Sequence, residues 1–305
     1  MVGPTRKREA VRHLQGSLQM SERRACRVVG QSRSTQRYEP REGSEERRLR
    51  EELRRISCQR PRAGYRMAAR CLRRAGWRIN DKRVQRLWRE EGLRVPQRTH
   101  KRRRLGLKCH GSQRLRASRP NEVWSYDFIQ DRTMDGRRLK ILVVVDEFTR
   151  ECLALEIGRK LTAADVIRVL GRLIGERGVP LHLRSDNGPE FLAHEVRHWL
   201  SVRGIGTLFI EPGSPWENAY CESFNSRLRD EFLNRELFTS ELEARVLSAE
   251  WRRDYNELRP HSALGDQTPS EFAARWRATV GAPPLPPLAS ANNPEPQPIL
   301  SSHLV

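Results

Sequence analysis

The alternation of apolar and polar positions changes character near residue 120. Before it, apolar residues recur at helical spacing: Val11, Leu14 and Leu18 in one stretch, then Ala25, Val28 and Val29 in the next. The stretches VRHLQGSLQ, ERRACRVVG and the more polar SRSTQRYEP are broken by Ser and Gly. They predict a helix-turn-helix-like segment over residues 1–43. EERRLREELRRI sets Leu49, Leu53 and Ile56 on one stripe, with Arg on the others. RMAARCLRRAG follows, then NDKRVQRLWREEGL, opened by Asn80 as a helix cap with Val84, Leu87 and Trp88 inside. Together these predict a second all-α subdomain over 44–95.

After Pro120 strands enter. VWSYDFIQ alternates, with Trp124, Tyr126 and Phe128 on one side and Ser125, Asp127 and Ile129 on the other. LKILVVVD is almost wholly apolar, as a strand covered on both faces should be. ECLALEI reads as a third strand, LHLRS as a fourth and GTLFI as a fifth. Between them, LTAADVIRVLGRLIGERG predicts a helix with Thr162 at its cap and Gly178 beyond its end, and PEFLAHEVRHWLSVRG a second helix. Further helices are expected near 216–234, 240–258 and 269–277. The fold class is therefore α/β over 121–280, a mixed five-stranded sheet with flanking helices, preceded by all-α domains. The tail 281–305, with seven prolines and no periodicity, reads as disordered.

Charge sharpens this division. The net charge is +20 overall, yet residues 1–120 hold 36 Lys or Arg against 11 Asp or Glu, while residues 121–305 hold 22 against 27. A basic helical half on a mildly acidic α/β half points to a polyanion-binding module fused to a separate chemistry. Between Gly92 and Asn121 ten basic residues and no acid occur, including Lys101, Arg102, Arg103 and Arg104. Residues 96–120 thus read as a flexible basic linker. Lys82, Arg83 and Arg86 supply further candidate phosphate contacts. The six cysteines form no C-x-x-C pair, so reduced thiols are expected. No signal peptide and no membrane span is visible, which places the protein in the cytoplasm.

Three carboxylates carry the candidate chemistry. Asp127 lies inside an otherwise apolar strand, where an acid is costly to bury without a compensating cation or partner. Asp186 follows LHLRS and precedes Asn187-Gly188, at a strand end opening into a tight turn. Glu222 comes after another 35 residues. It shares a polar helical face with Asn218, Asn225, Ser226 and Arg229, while Phe224, Leu228 and Phe232 form the buried stripe. Mg²⁺ takes hard oxygen ligands at about 2.0–2.1 Å. Two such ions about 3.5–4 Å apart clamp the attacking and leaving oxygens of an in-line phosphoryl displacement. Asp127 is the candidate bridge between both ions, with Asp186 and Glu222 closing the two sides.

The motifs GYR at 64–66, WSYD at 124–127, VDEFTR at 145–150, SDNGPEF at 185–191, ENAYCESF at 217–224, Arg229, and Y-N-x-x-R-P-H at 255–261 occur in order. In these the chain resembles the bacterial insertion-sequence transposases of the retroviral-integrase (DDE) superfamily, in particular the second-frame product of the two-frame group. The resemblance spans roughly residues 44–277. It implies a ribonuclease-H-like core, with Asp127, Asp186 and Glu222 as catalytic and metal ligands for two Mg²⁺, Mn²⁺ substituting. It also implies 3′-end nicking and strand transfer on double-stranded inverted-repeat ends, in a homo-oligomer on DNA. An upstream-frame DNA-binding protein, fused or bound, is a further expected partner.

Other signals compete. His194-Glu195-x-x-His198 matches the H-E-x-x-H zinc-peptidase pattern, but no third ligand follows at a recognisable spacing. Asp146 is a possible extra ligand or a solvent-exposed strand end. His261 either orients a phosphate or serves the preceding loop, and Trp216 either stacks on a base or packs a helix start. A DNA-binding regulator without catalysis is the alternative class, but it leaves three placed carboxylates in a separate domain unexplained.

Overall fold

The computed structural model describes residues 3–38, 43–93, 115–185, 194–209 and 219–280. By internal contacts the chain divides into two compact units, Met1–Arg55 and Ile56–Val305, the division falling within helix α4 (Ser44–Gln59).

The first unit contains α1 (Pro4–Leu18), α2 (Glu22–Val29) and α3 (Arg33–Arg37). Ser21 and Ser32 cap α2 and α3 by accepting from the backbone N–H of Arg24 and Thr35. Gly30 ends α2 with φ of 64°, a left-handed conformation that costs glycine little. Val11, Ala25 and Cys26 form the small core, with Leu14, Met20 and Val29 against it. Leu18 and Val28 do not join it, being 64% and 65% exposed. Leu18 is the last residue of α1, and Val28 lies on α2 where its neighbour Val29 takes the inward position. Helical spacing alone could not separate them. Along α4, Leu49, Leu53 and Ile56 are buried, as their spacing predicts.

In the second unit, α5 (Tyr65–Arg74) and α6 (Asp81–Glu90) pack together. The buried residues of α5 are Ala68, Ala69 and Leu72, and those of α6 Val84, Leu87 and Trp88. Asn80 caps α6, accepting from Lys82 N–H at 2.9 Å. Four arginines tie this region to the C-terminal helices: Arg60 to Asp254 at 2.6 Å, Arg62 to Asp230 at 2.8 Å, Arg70 to Asp266 and Arg74 to Glu271 at 2.7 Å. Part of the basic excess is therefore neutralised within the fold.

The sheet contains β1 (Val123–Arg132), β2 (Arg138–Asp146), β3 (Cys152–Gly158), β4 (His182–Ser185) and β5 (Gly206–Phe209), in the order β3-β2-β1-β4-β5. The first three form an antiparallel meander, and β4 and β5 add in parallel. Crossover to a parallel neighbour needs a helix, supplied by α7 (Ala163–Arg177) and α8 (His194–Val202). A capping box between Thr162 and Asp165 starts α7, and Gly178 ends it. These two helices cover the face carrying Trp124, Tyr126, Leu142 and Val144. The opposite face, with Ile129, Ile141, Val143 and Val145, is covered by α9 (Ala219–Leu228), the π-helical turn Arg229–Leu233 and α10 (Glu241–Arg253). A second π-helical turn, Asp254–Leu258, and α11 (Pro269–Val280) complete the unit. The apolar run of β2 is thus buried on both faces, as read from the sequence.

Phe224, Leu228 and Phe232 are all buried. Residues four apart drift around an α-helix of about 3.6 residues per turn. The wider π turn after Leu228 offsets that drift and keeps Phe232 on the core side. Among the described residues no helix is long and apolar enough to cross a membrane. The linker 96–120 up to residue 114 and the tail 281–305 lie outside the described residues.

Burial also sets thiol reactivity. It pushes Cys152 up to about 12 and Cys221 well above the ordinary thiol value, whereas Cys58 is exposed. Because the thiolate is the nucleophile, iodoacetamide should label Cys58 in the native protein and reach Cys152 and Cys221 only after unfolding. Mass mapping checks this, and native labelling of Cys221 would contradict it.

Candidate metal and DNA site

Asp127 sits in mid-strand β1, half-buried, opposite Val143 of β2. Its two oxygens are held differently. Oδ1 accepts from Phe128 N–H at 2.7 Å, and Oδ2 accepts from Asn225 Nδ2 at 2.6 Å. Asn225 comes from α9, which lies against β1 and β2. The sequence reading set Asn225 on an open polar face; instead it turns inward, half-buried, to orient the acid. Its Oδ1 is buried with no partner, so a second hard oxygen stands beside Asp127.

One helical turn earlier, Cys221 is buried close to Ser125, the residue two before Asp127 on the same strand face. Burial, then the nearby charge of Asp127, raises its thiol. Cys221 and Asn225 together fix the rotation of α9. Glu222, next to Cys221, is exposed, as are Ser226 and Arg229 at helical spacing beyond it. Of the polar face read from the sequence, Glu222, Ser226 and Arg229 are exposed, Asn225 is turned inward and Asn218 lies outside the described residues.

Asp186, Asn187, Gly188, Trp216, Asn218, Lys101, Arg102, Arg103 and Arg104 lie outside the described residues. Among the described residues no group of three His, Cys, Asp or Glu gathers as a metal cluster. The described oxygens do fit a hard divalent cation: a half-buried carboxylate in a strand interior and an unpartnered buried amide oxygen beside it. Lys82 and Arg86 on α6 are exposed and Arg83 half-buried. The rings of His194 and His198 stack at 6.3 Å between centroids on the surface of α8, with Glu195 also exposed.

Asp146 departs from both sequence readings. It is 2% exposed and pairs with Trp124 rather than with Asp127. Its carboxylate accepts from the backbone N–H of Asn121 at 2.8 Å, Phe148 at 2.9 Å and Thr149 at 2.8 Å. Burial raises its pKa against these donors. It ties the β2–β3 turn to the start of β1. His261 is buried, with Nε2 near Tyr255 O at 3.3 Å and its ring edge-on to Tyr255. Burial, then the charge of Arg259, pushes it down to about 3, so it is neutral and structural.

Sequence reasoning missed the buried ion pair beside the acid. Glu147 and Arg184 are 1% and 4% exposed and meet at 3.0 Å, with Ser125 hydrogen-bonded to Glu147. A lone arginine inside the apolar strand LHLRS was the available signal.

Two models described as an integrase core domain match residues 117–215 and 203–269, and one described as an HTH-like domain matches residues 44–103. An insertion element IS407 protein of Burkholderia multivorans is 44% identical, over 87% of this chain and 94% of that protein. An insertion element IS476 protein of Xanthomonas euvesicatoria is 41% identical, over 90% and 79%. The putative transposase InsK for insertion sequence element IS150 of Escherichia coli is 27% identical, over 70% and 78%.

Proposed function

The chain belongs to the integrase-core family of bacterial insertion-element transposases, and we propose that it is a DDE-type polynucleotidyl transferase. In this reading it binds the ends of its element, releases a 3′-hydroxyl at each, and joins that hydroxyl to target DNA. The observation that carries it is Asp127 in the strand interior, oriented by Asn225, with the exposed Glu222 borne on the same helix. Strand register supports the third acid. Ser125 and Arg184 are parallel partners, and Asp127 and Asp186 each stand two residues further along their segments.

Asp127, Asp186 and Glu222 would hold two Mg²⁺, with Mn²⁺ as a substitute. When bound, such ions would supply activation of the attacking hydroxyl and charge neutralisation at the leaving oxygen. Asn225 fixes the rotamer of Asp127. Ser226 and Arg229 meet the DNA backbone along the same helix face, and Asn187, Gly188 and Trp216 are supporting residues of the site. The α6 residues Lys82, Arg83 and Arg86 and the linker residues Lys101, Arg102, Arg103 and Arg104 grip phosphates. The active form is a homo-oligomer on DNA in the cytoplasm, at the nucleoid, with an upstream-frame DNA-binding protein fused or bound to it.

The test is strand transfer. Purified protein, labelled element-end duplex and a target plasmid are combined with Mg²⁺, and label joined covalently to the plasmid is measured. Joining by the wild type is expected. Binding with neither nicking nor joining, with or without the upstream-frame protein, would favour the non-catalytic regulator.

Binding should also be strongly salt-dependent, since each neutralised phosphate contributes about −0.9 to the slope of log K against log salt. Lys82→Ala and Arg86→Ala should each reduce the steepness by about 1 and weaken all sequences alike. Titrations at several salt concentrations read this, and an unchanged slope would remove α6 from the interface.

A further inference from the structure

We infer that Ser125, Glu147 and Arg184 form a buried positioning network that sets the spacing of the three site-bearing segments. The inference rests on the metal-site reading above. Ser125 Oγ donates to Glu147. Glu147 takes Arg184 Nη1 on both carboxylate oxygens, at 3.0 and 3.2 Å. Arg184 Nη2 donates to Leu115 O at 2.9 Å, and Glu147 N–H donates to Val123 O at 3.0 Å. All three side chains are buried: Ser125 is 0% exposed, Glu147 1% and Arg184 4%.

The network reaches each segment that carries a candidate ligand. Ser125 is two residues before Asp127, on the same face of β1. Arg184 is two residues before Asp186 and is the register partner of Ser125. Cys221 of α9, buried beside Ser125 and close to the charge of Glu147, directly precedes Glu222. An ion pair without solvent is held by geometry, because each charge has lost its water and needs its partner in place. Such a pair resists sliding of β4 along β1 and rotation of α9, the two motions that would spread the carboxylates. The bond to Leu115 O ties the chain before β1 to β4 as well.

A purely structural ion pair makes a different prediction. Removing one charge alone strands the other, so single variants lose fold stability under either view. The double variant Glu147→Gln with Arg184→Met removes both charges of the pair and roughly conserves volume, and such replacements are often neutral or better for stability. Two readouts are taken on the full chain: thermal unfolding, and Mn²⁺ binding by electron paramagnetic resonance without DNA. Plasmid nicking is followed in parallel. The double variant is expected to unfold near the wild-type temperature, yet bind Mn²⁺ and nick roughly 10–100-fold more weakly, as loss of groups supporting metal ligands does. Ser125→Ala keeps both charges and should weaken Mn²⁺ binding in the same direction with the fold intact, which decides the matter if the double variant does not fold. Wild-type Mn²⁺ affinity and nicking in a folded double variant, or in Ser125→Ala if the double does not fold, would overturn the proposal. Asp127→Asn is run alongside: if it binds Mn²⁺ like the wild type, the metal site itself is misassigned, which is a separate failure.

Discussion

Glu222→Gln is expected to bind element-end DNA like the wild type and to lose Mg²⁺-dependent nicking by roughly 10³-fold or more. The substitution preserves shape and keeps an oxygen, but it removes the negative charge that a hard divalent ion requires. Metal-based stabilisation of the transition state is worth several kcal/mol, and every 1.36 kcal/mol or so is tenfold in rate. The fold should not notice, because Glu222 is exposed and α9 is held by Phe224 and Leu228 in the core and by Cys221 and Asn225 at the strand. Nicking of a supercoiled plasmid carrying the gene's own flanking DNA, beside a binding titration, reads both quantities. A variant that binds and still nicks at a tenth of the wild-type rate would remove Glu222 from the site.

The second large effect is on stability. Asn256→Ala should lower the unfolding temperature by roughly 5–15 °C. Asn256 lies in the motif YNELRPH and bridges to the first residue of β3: its Oδ1 accepts from Cys152 N–H at 2.9 Å and its Nδ2 donates to Cys152 O at 2.9 Å. The amide behaves as a short extra strand there, where the β2–β3 register shifts between Val144 and Val145. Truncation leaves two buried backbone groups unpaired, at about 1–3 kcal/mol each. For a unit of this size each kcal/mol moves the midpoint by about 2–4 °C. Thermal unfolding followed by circular dichroism reads this directly, and an unchanged midpoint would show that water or a neighbour replaces both bonds.

The same motif shows what local sequence could and could not convey. Strand and helix identity were legible because burial imprints a period: the apolar run of β2, the alternation of Trp124, Tyr126 and Phe128, the cap at Asn80 and the stripe Phe224, Leu228, Phe232 all lie where the pattern put them. Asp127 was legible for a different reason, as an acid in a strand interior with no local compensation. What escaped depends on which elements become neighbours. The inward turn of Asn225 needs α9 laid on β1. The triple backbone capping by Asp146 needs the β2–β3 turn folded back on Asn121, so a residue read as exposed is 2% exposed. The pair Glu147–Arg184 joins residues from the β2–β3 turn and from β4, and no periodicity within either piece announces it. Exposure at Leu18 and Val28 was missed because helical spacing does not show that α1 ends at Leu18 or that Val29 takes the inward place beside Val28.

Asp127, Asp186 and Glu222 are expected to converge on shared divalent ions. Crystals of the full chain bound to element-end DNA and grown with Mn²⁺ test it most directly through anomalous scattering. Two peaks about 3.5–4 Å apart, both touching Asp127, one reaching Asp186 and the other Glu222, are predicted. Peaks that avoid Asp127, or Mn²⁺ bound only at the stacked pair His194 and His198, would contradict the account.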